Sequence, residues 1–190
     1  MNPDVIEERI RWTTTDLALL PESSSRYEII DGELFVTPVP HWQHQNVSGN
    51  IFAELRDWSL EMGIGESVIA PGLVFSDVDS IIPDVVWISK GRLAAALDES
   101  GHLVAAPELV IEVLSAGTEN KRRDREAKLK LYSVRGVQEY WIINWQLQQV
   151  EIYRRQQAML KLVTALLDDA ETITSPLLPN FTCSLSRLFV

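Results

Sequence analysis

The chain has 190 residues, 46% hydrophobic and 23% charged, a size and balance suited to a single domain over residues 1–190 with a full core. Its net charge of -10 argues against a protein that coats nucleic acid, and its lone cysteine, Cys183, excludes a disulfide framework and a cysteine-based zinc site. No apolar run is long enough to span a bilayer, and the N-terminus lacks the apolar stretch of a signal peptide, so the expected location is the cytoplasm.

Thr13-Thr14-Thr15-Asp16 opens a capped short helix that Pro21 stops. Tyr27-Glu28-Ile29-Ile30 and Glu33-Leu34-Phe35-Val36 flank Asp31-Gly32, the strongest short hairpin signal. Val47, Ile51, Leu55, Trp58 and Met62 recur at helical spacing and predict a helix over about 42–62, with Gly63 as its stop. Strands follow at Ser67–Ala70 and Leu73–Phe75 around the bend Pro71-Gly72, then at Ile81–Ile88, where Pro83 suits only a beginning or an edge. Leu109–Leu114 is apolar apart from Glu112, as expected of a strand buried on both faces. A helix over about 119–134 ends at Gly136. Strands are expected at 139–143, 150–153 and 161–164, and the tail from Ser175 reads as coil and short helix. The order predicts one mixed α/β or α+β sheet domain.

Two carboxylates sit in these apolar strands, Asp84 in Ile82-Pro83-Asp84-Val85-Val86 and Glu112 in Val110-Ile111-Glu112-Val113. A buried carboxylate without a partner costs several kcal/mol, so two of them on two core strands point to a shared cation, which they can share if the strands are neighbours in register. Magnesium takes one or two protein carboxylates and fills the rest of its shell with water and phosphate. Residues 121–130 carry a local net charge of +4 on an otherwise acidic chain, one localised place for phosphate. Lys121, Arg125, Lys128 and Tyr132 share a helix face, beside an apolar stripe of Ala127, Leu131 and Val134. Lys128 is expected to lean toward Glu112, while Lys121, Arg122 and Arg125 meet a nucleic-acid backbone. The bland alternatives stay open at this point: Asp84 capping a turn, Glu112 in a structural ion pair, and the basic run as a solvated face. His41 and His44, three apart, would need further ligands to hold zinc.

Tyr27-Glu28-Ile29-Ile30-Asp31-Gly32-Glu33-Leu34, His44, Pro83-Asp84-Val85-Val86, Ile111-Glu112-Val113-Leu114-Ser115, Lys128 with Tyr132, and Gly136-Val137-Gln138-Glu139-Tyr140-Trp141 occur in that order. The set resembles the Uma-two family of restriction-endonuclease-like proteins, within the PD-(D/E)xK nuclease superfamily, over about residues 12–185. The resemblance implies a restriction-endonuclease-like fold, a mixed central sheet flanked by helices, and a metal-dependent DNA endonuclease. It makes Asp84 and Glu112 ligands of magnesium, with manganese able to substitute, Glu28 a further acidic member and Lys128 the catalytic lysine beside the attacking water. His44 and Tyr132 become cleft residues. The superfamily's usual lysine position falls on Leu114, so the role passes to Lys128, and Ala116-Gly117-Thr118 departs from the family's usual loop. The alternative from the same residues is a binding or interaction module that keeps the fold without cutting. Cleavage of both strands of a duplex further predicts a homodimer, which supplies two sites.

Overall fold

Asp31 and Gly32 both take positive φ, 51° and 77°. A two-residue hairpin turn demands that conformation, and glycine adopts it without Cβ strain. The computed structural model describes residues 10–21, 25–115, 117 and 122–190. In it the turn joins β1 (Arg26–Ile30) to β2 (Glu33–Thr37) in antiparallel register. Before them, Asp16 accepts hydrogen bonds from the backbone N–H and hydroxyl of Thr13 at 2.8 and 2.7 Å, which caps α1 (Thr14–Leu17).

Helix α2 (Trp42–Met62) ends at Gly63, whose left-handed φ of 67° closes the last turn. Its apolar stripe, Val47, Ile51, Leu55 and Trp58, packs on one face of a six-stranded sheet, against Val85, Trp87, Leu109, Ile111, Val113 and Trp141. That sheet runs in the order β10, β9, β8, β7, β6, β3. Its strands are β3 (Gly65–Ile69), β6 (Val85–Ser89), β7 (Leu109–Val113), β8 (Glu139–Asn144), β9 (Gln149–Gln156) and β10 (Met159–Leu166). Only β7 and β8 pair in parallel, and the helical segment between them covers the opposite face. There Leu131 and Tyr132 meet Val86, Val110, Leu114, Tyr140 and Ile142. The architecture is the expected one, a mixed central sheet flanked by helices.

Several elements differ from the sequence reading. Ile81–Ile88 is not one strand. β5 (Asp79–Ile81) belongs to a separate four-stranded sheet with β1, β2 and β4 (Leu73–Ser76), whereas β6 belongs to the six-stranded sheet. Ile82-Pro83-Asp84 carries the chain from one sheet to the other, and Pro83, with no N–H, cannot continue either ladder. A short helix α3 (Lys90–Ala96) follows β6. The tail is not coil: β11 (Thr172–Ser175) and β12 (Leu178–Ser184) form a hairpin, followed by a helical turn Leu185–Leu188. Pro179 is tolerated because it lies exposed in a two-stranded ribbon.

The basic helix also changes form. Arg123–Lys128 is π-helical and only Leu129–Arg135, here α4, is α-helical. The wider turn alters which side chains face inward. Val134, expected on the docking stripe, is 72% exposed, while Arg123, Asp124 and Lys128 are buried. Residues 118–121, with Lys121, and Ala116 of the loop lie outside the described residues.

Candidate active site

The switch between sheets builds the site. Antiparallel register pairs Val85 with Ile111, so Asp84, just before β6, arrives beside the end of β7 where Glu112 stands. Alternation along β1 puts Arg26 and Glu28 on one face. Both reach the switch: Arg26 Nη1 donates to the Ile82 carbonyl at 3.0 Å, and the Ile82 N–H donates to Glu28 Oε1 at 2.9 Å. A cavity of about 150 Å³ opens there, lined by Arg26, His44, Asp84, Glu112 and Arg123, with Ser115 and Pro40 at its walls.

Asp84 is held as an anion. Its Oδ2 accepts the Val113 N–H at 2.8 Å and faces His44 Nε2 at 3.3 Å, while Oδ1 accepts Arg26 Nη1 at 3.1 Å. Burial alone would raise its pKa. His44, Arg26 and Lys128 outweigh burial and hold it at about 2. His44, from the first turns of α2, is in turn shifted upward, because Asp84 more than offsets its burial.

Glu112 is in the opposite condition. Its Oε1 accepts Lys128 Nζ at 2.8 Å and Tyr132 Oη at 2.7 Å. Burial, with Asp84, Asp124 and Glu28 close by, outweighs Lys128 and pushes its pKa up to about 7. Its Oε2 accepts no hydrogen bond among the described residues.

Lys128 and Glu28 form the floor behind these two. Lys128 is 1% exposed and also meets Glu28 Oε1 at 3.0 Å and Asp124 at 3.9 Å. The surrounding carboxylates raise its pKa despite burial, so it stays an ammonium and cannot act as a base. Arg123 donates to Thr37 Oγ1 at 2.7 Å and Asp124 Oδ1 at 3.1 Å, with Glu28 Oε2 at 3.7 Å. That Glu28 oxygen is buried without a hydrogen bond. Lys128 and Arg123 still hold the Glu28 pKa down against burial.

Four buried carboxylates, Glu28, Asp84, Glu112 and Asp124, thus meet three permanent cations, Arg26, Arg123 and Lys128, with His44 at the edge. With His44 neutral the site is short of one positive charge, and Glu112 and Asp124 are the two acids whose pKa is pushed upward.

The residues that the sequence singles out separate into two groups. Asp84, Glu112 and His44 line the cavity. Glu28, Lys128 and Tyr132 are buried behind it and are not among the residues that line the cavity. Lys128, 1% exposed, does not reach the protein surface. Arg122 pairs with Glu126 at 2.9 Å, and Arg125 is half-buried in a bidentate bond to Glu151. The basic run is therefore not an open patch: a π-helical turn folds Arg123 and Lys128, two of its six cations, into the site. The structural ion pair for Glu112 is real, but it shares the cavity wall with Asp84. His41 caps α2 and stacks on Trp145, apart from His44's contact with Asp84.

Sequence reasoning missed Arg26, Arg123 and Asp124. Arg26 had a signal, two positions before Glu28 on the same strand face. Asp124 stands four before Lys128.

Among the described residues, no three His, Cys, Asp or Glu side chains are arranged to hold an ion. What the cavity offers is two carboxylates: among the described residues, one has an oxygen held by Arg26 alone and the other an oxygen that accepts no hydrogen bond. Magnesium asks no more of a protein when water and phosphate complete its shell. The missing positive charge fits the same ion.

The profile of a family described as "Putative restriction endonuclease", Uma2, matches residues 14–186. No match was found among curated proteins. The fold is similar to the crystal structure of a "putative nuclease belonging to DUF820" from Anabaena variabilis ATCC 29413, with a TM-score of 0.75 and 21% identity over 93% of this chain and 97% of that one. The type IIG restriction endonuclease BpuSI aligns at a TM-score of 0.36 and 16% identity, over 75% of this chain and 15% of its own.

Proposed function

As the chain belongs to the Uma2 family, we propose that it is a magnesium-dependent endonuclease that hydrolyses phosphodiester bonds in DNA. The observation that carries this reading is the cavity walled by Asp84, just before β6, and Glu112 on the neighbouring β7, and rimmed by Arg26, His44 and Arg123. Asp84 and Glu112 would hold the ion, which supplies positive charge at the phosphate and hydroxide at neutral pH; manganese would substitute.

The chain's own residues do the rest. Arg26 and Arg123 give the cavity wall the charge that a phosphodiester seeks. Val113 N–H and His44 fix the direction of the Asp84 carboxylate. Lys128 and Tyr132 fix that of Glu112 and favour its anion. Lys128 is a positioning residue: it holds its proton and acts through Glu112. Glu28 positions Lys128 and the Ile82 switch. Exposed Arg122 and Lys130 remain as outer contacts for the DNA backbone. A two-fold pair of chains would supply one site per strand.

Supercoiled plasmid, incubated with magnesium or with EDTA, tests this. Wild type should nick and then linearise it with magnesium only, and Asp84→Asn and Glu112→Gln should not. Linear product appearing with the first nicks supports two sites acting together. Equal background from wild type and Glu112→Gln removes the catalytic claim. One observation favours the second reading, a DNA-binding module without cleavage: Arg26 and His44 already satisfy Asp84. Duplex binding without magnesium-dependent cutting would select it.

A further inference from the structure

We propose that Arg26 stands in for the cation on Asp84 and leaves it when a divalent ion binds, turning to the phosphate of the DNA. The inference rests on the metal-dependent reading of the site. Three permanent cations surround the carboxylates, and they are held very differently. Lys128 and Arg123 are 1% and 8% exposed, and each meets two or more carboxylates. Arg26 has a side chain 25% exposed, and among the described residues it is bonded through one nitrogen, Nη1, which is shared between Asp84 Oδ1 and the Ile82 carbonyl. Of the three it is the most exposed and meets the fewest carboxylates among the described residues.

Asp84 is built to survive the loss. Its Oδ2 is fixed by the Val113 N–H and by His44, so releasing Oδ1 does not release the carboxylate. Among the described residues, Oδ1 accepts from Arg26 alone. A divalent ion approaching Oδ1 therefore competes with one guanidinium contact that is not bidentate, the weaker mode of arginine–carboxylate pairing.

Charge balance completes the cycle. With His44 neutral and the four carboxylates ionised, the site without an ion lacks one positive charge. A divalent ion converts that into a surplus of one, which a single phosphodiester matches. Arg26 then carries the unneeded charge, and its planar fork suits two phosphate oxygens. The same residue thus keeps the empty carboxylate satisfied and couples ion binding to DNA binding.

Two measurements on wild type, Arg26→Ala and Arg26→Lys test the proposal. In calorimetry with manganese alone, Arg26→Ala should bind the ion about tenfold tighter than wild type, since a competing charge is gone. In anisotropy with a labelled duplex, the slope of log affinity against log salt should steepen by about one for wild type on going from EDTA to calcium. One added phosphate contact predicts that step. Arg26→Ala should show no such step, and Arg26→Lys, which keeps a cation of similar reach, should retain it. Weaker manganese binding by Arg26→Ala, or a step that persists without Arg26, overturns the proposal. Arg26→Lys keeps the test open if Arg26→Ala does not fold: a lost step in that variant also counts against it. If wild type binds no manganese, the metal-dependent reading falls as well; if it binds and Arg26→Ala is unchanged, only this proposal falls.

Discussion

Asp84 and Glu112 are acids of the same kind in one cavity, and their surroundings treat them oppositely. Asp84, at the mouth of β6, has a backbone N–H, an imidazole and a guanidinium around it and is held at about 2. Glu112, on β7, shares its lysine with Glu28 and lies near Asp124, and is pushed up to about 7. Paired titratable groups driven apart in this way are a feature of sites of proton or cation chemistry. The contrast shows where a cation is wanted. Asp84 has its charge compensated in advance, whereas Glu112 gains its full anion only when more positive charge enters.

The largest disturbance is removal of the ammonium that serves both sides. Lys128→Met leaves Glu112 and Glu28 buried against each other without their shared partner. Breaking a buried pair from one side costs about 3–5 kcal/mol. Urea unfolding at pH 7.5 should show a loss of that order. A loss within about 0.5 kcal/mol, the range of ordinary surface changes, would mean that the network does not depend on Lys128.

Neutralising the two acids separately sharpens the contrast. Asp84→Asn strands Arg26 and His44 and should destabilise the protein at pH 7.5 by about 2–3 kcal/mol. Glu112→Gln removes an anion that the fold resists, and should be within about 1 kcal/mol of wild type. The pH dependence follows with a definite sign. A carboxyl whose folded pKa is raised from 4.5 to about 7 keeps a proton that the unfolded chain has lost. Its contribution is full below about 4.5, declines as pH rises through 7, and is constant above. Asp84, lowered to about 2, contributes above its ordinary 3.8 and loses that as pH falls through 2. In EDTA, wild-type stability should therefore carry a downward component between pH 5 and 7 that Glu112→Gln lacks. Identical profiles for the two proteins would remove the assignment to Glu112.

Much of the scaffold is readable in advance because local chemistry decides it. Asp31-Gly32 dictates the β1–β2 turn, the Val47–Trp58 stripe dictates α2, and the unbroken apolar run around Glu112 marks a strand buried on both faces. Asp84 and Glu112 stand out for the same reason, a carboxylate where apolar side chains belong. The remainder depends on distant parts of the chain. Nothing local says that Ile82-Pro83-Asp84 passes between sheets, so Arg26 gives no sign of reaching Asp84. The π-helical turn has no periodic signature, and charges on a helix normally face water. The basic run therefore reads as a DNA-facing surface, although its Arg123 and Lys128 are buried with Glu28 and Asp124. Pro179 argues locally against the strand that a free ribbon accommodates.

The smallest change is also the one aimed most narrowly at the difference between the two acids. Tyr132 donates its hydroxyl to Glu112 Oε1 at 2.7 Å and touches no oxygen of Asp84. Burial, with Glu112 beside it, raises the tyrosine's own pKa far out of range, so the hydroxyl remains a donor at every working pH. A donor to a carboxylate favours its ionised form. Tyr132→Phe keeps the ring packed on Tyr140 and deletes only that bond. Stability at pH 7.5 should fall by about 1–2 kcal/mol, and the Glu112 titration should move further up, with Asp84 unmoved. Carbon-13 NMR of the carboxyl groups reads both acids in one experiment. A downward shift of Glu112 would mean that the hydroxyl serves its neutral form, and the two acids would then no longer differ for the reason argued here.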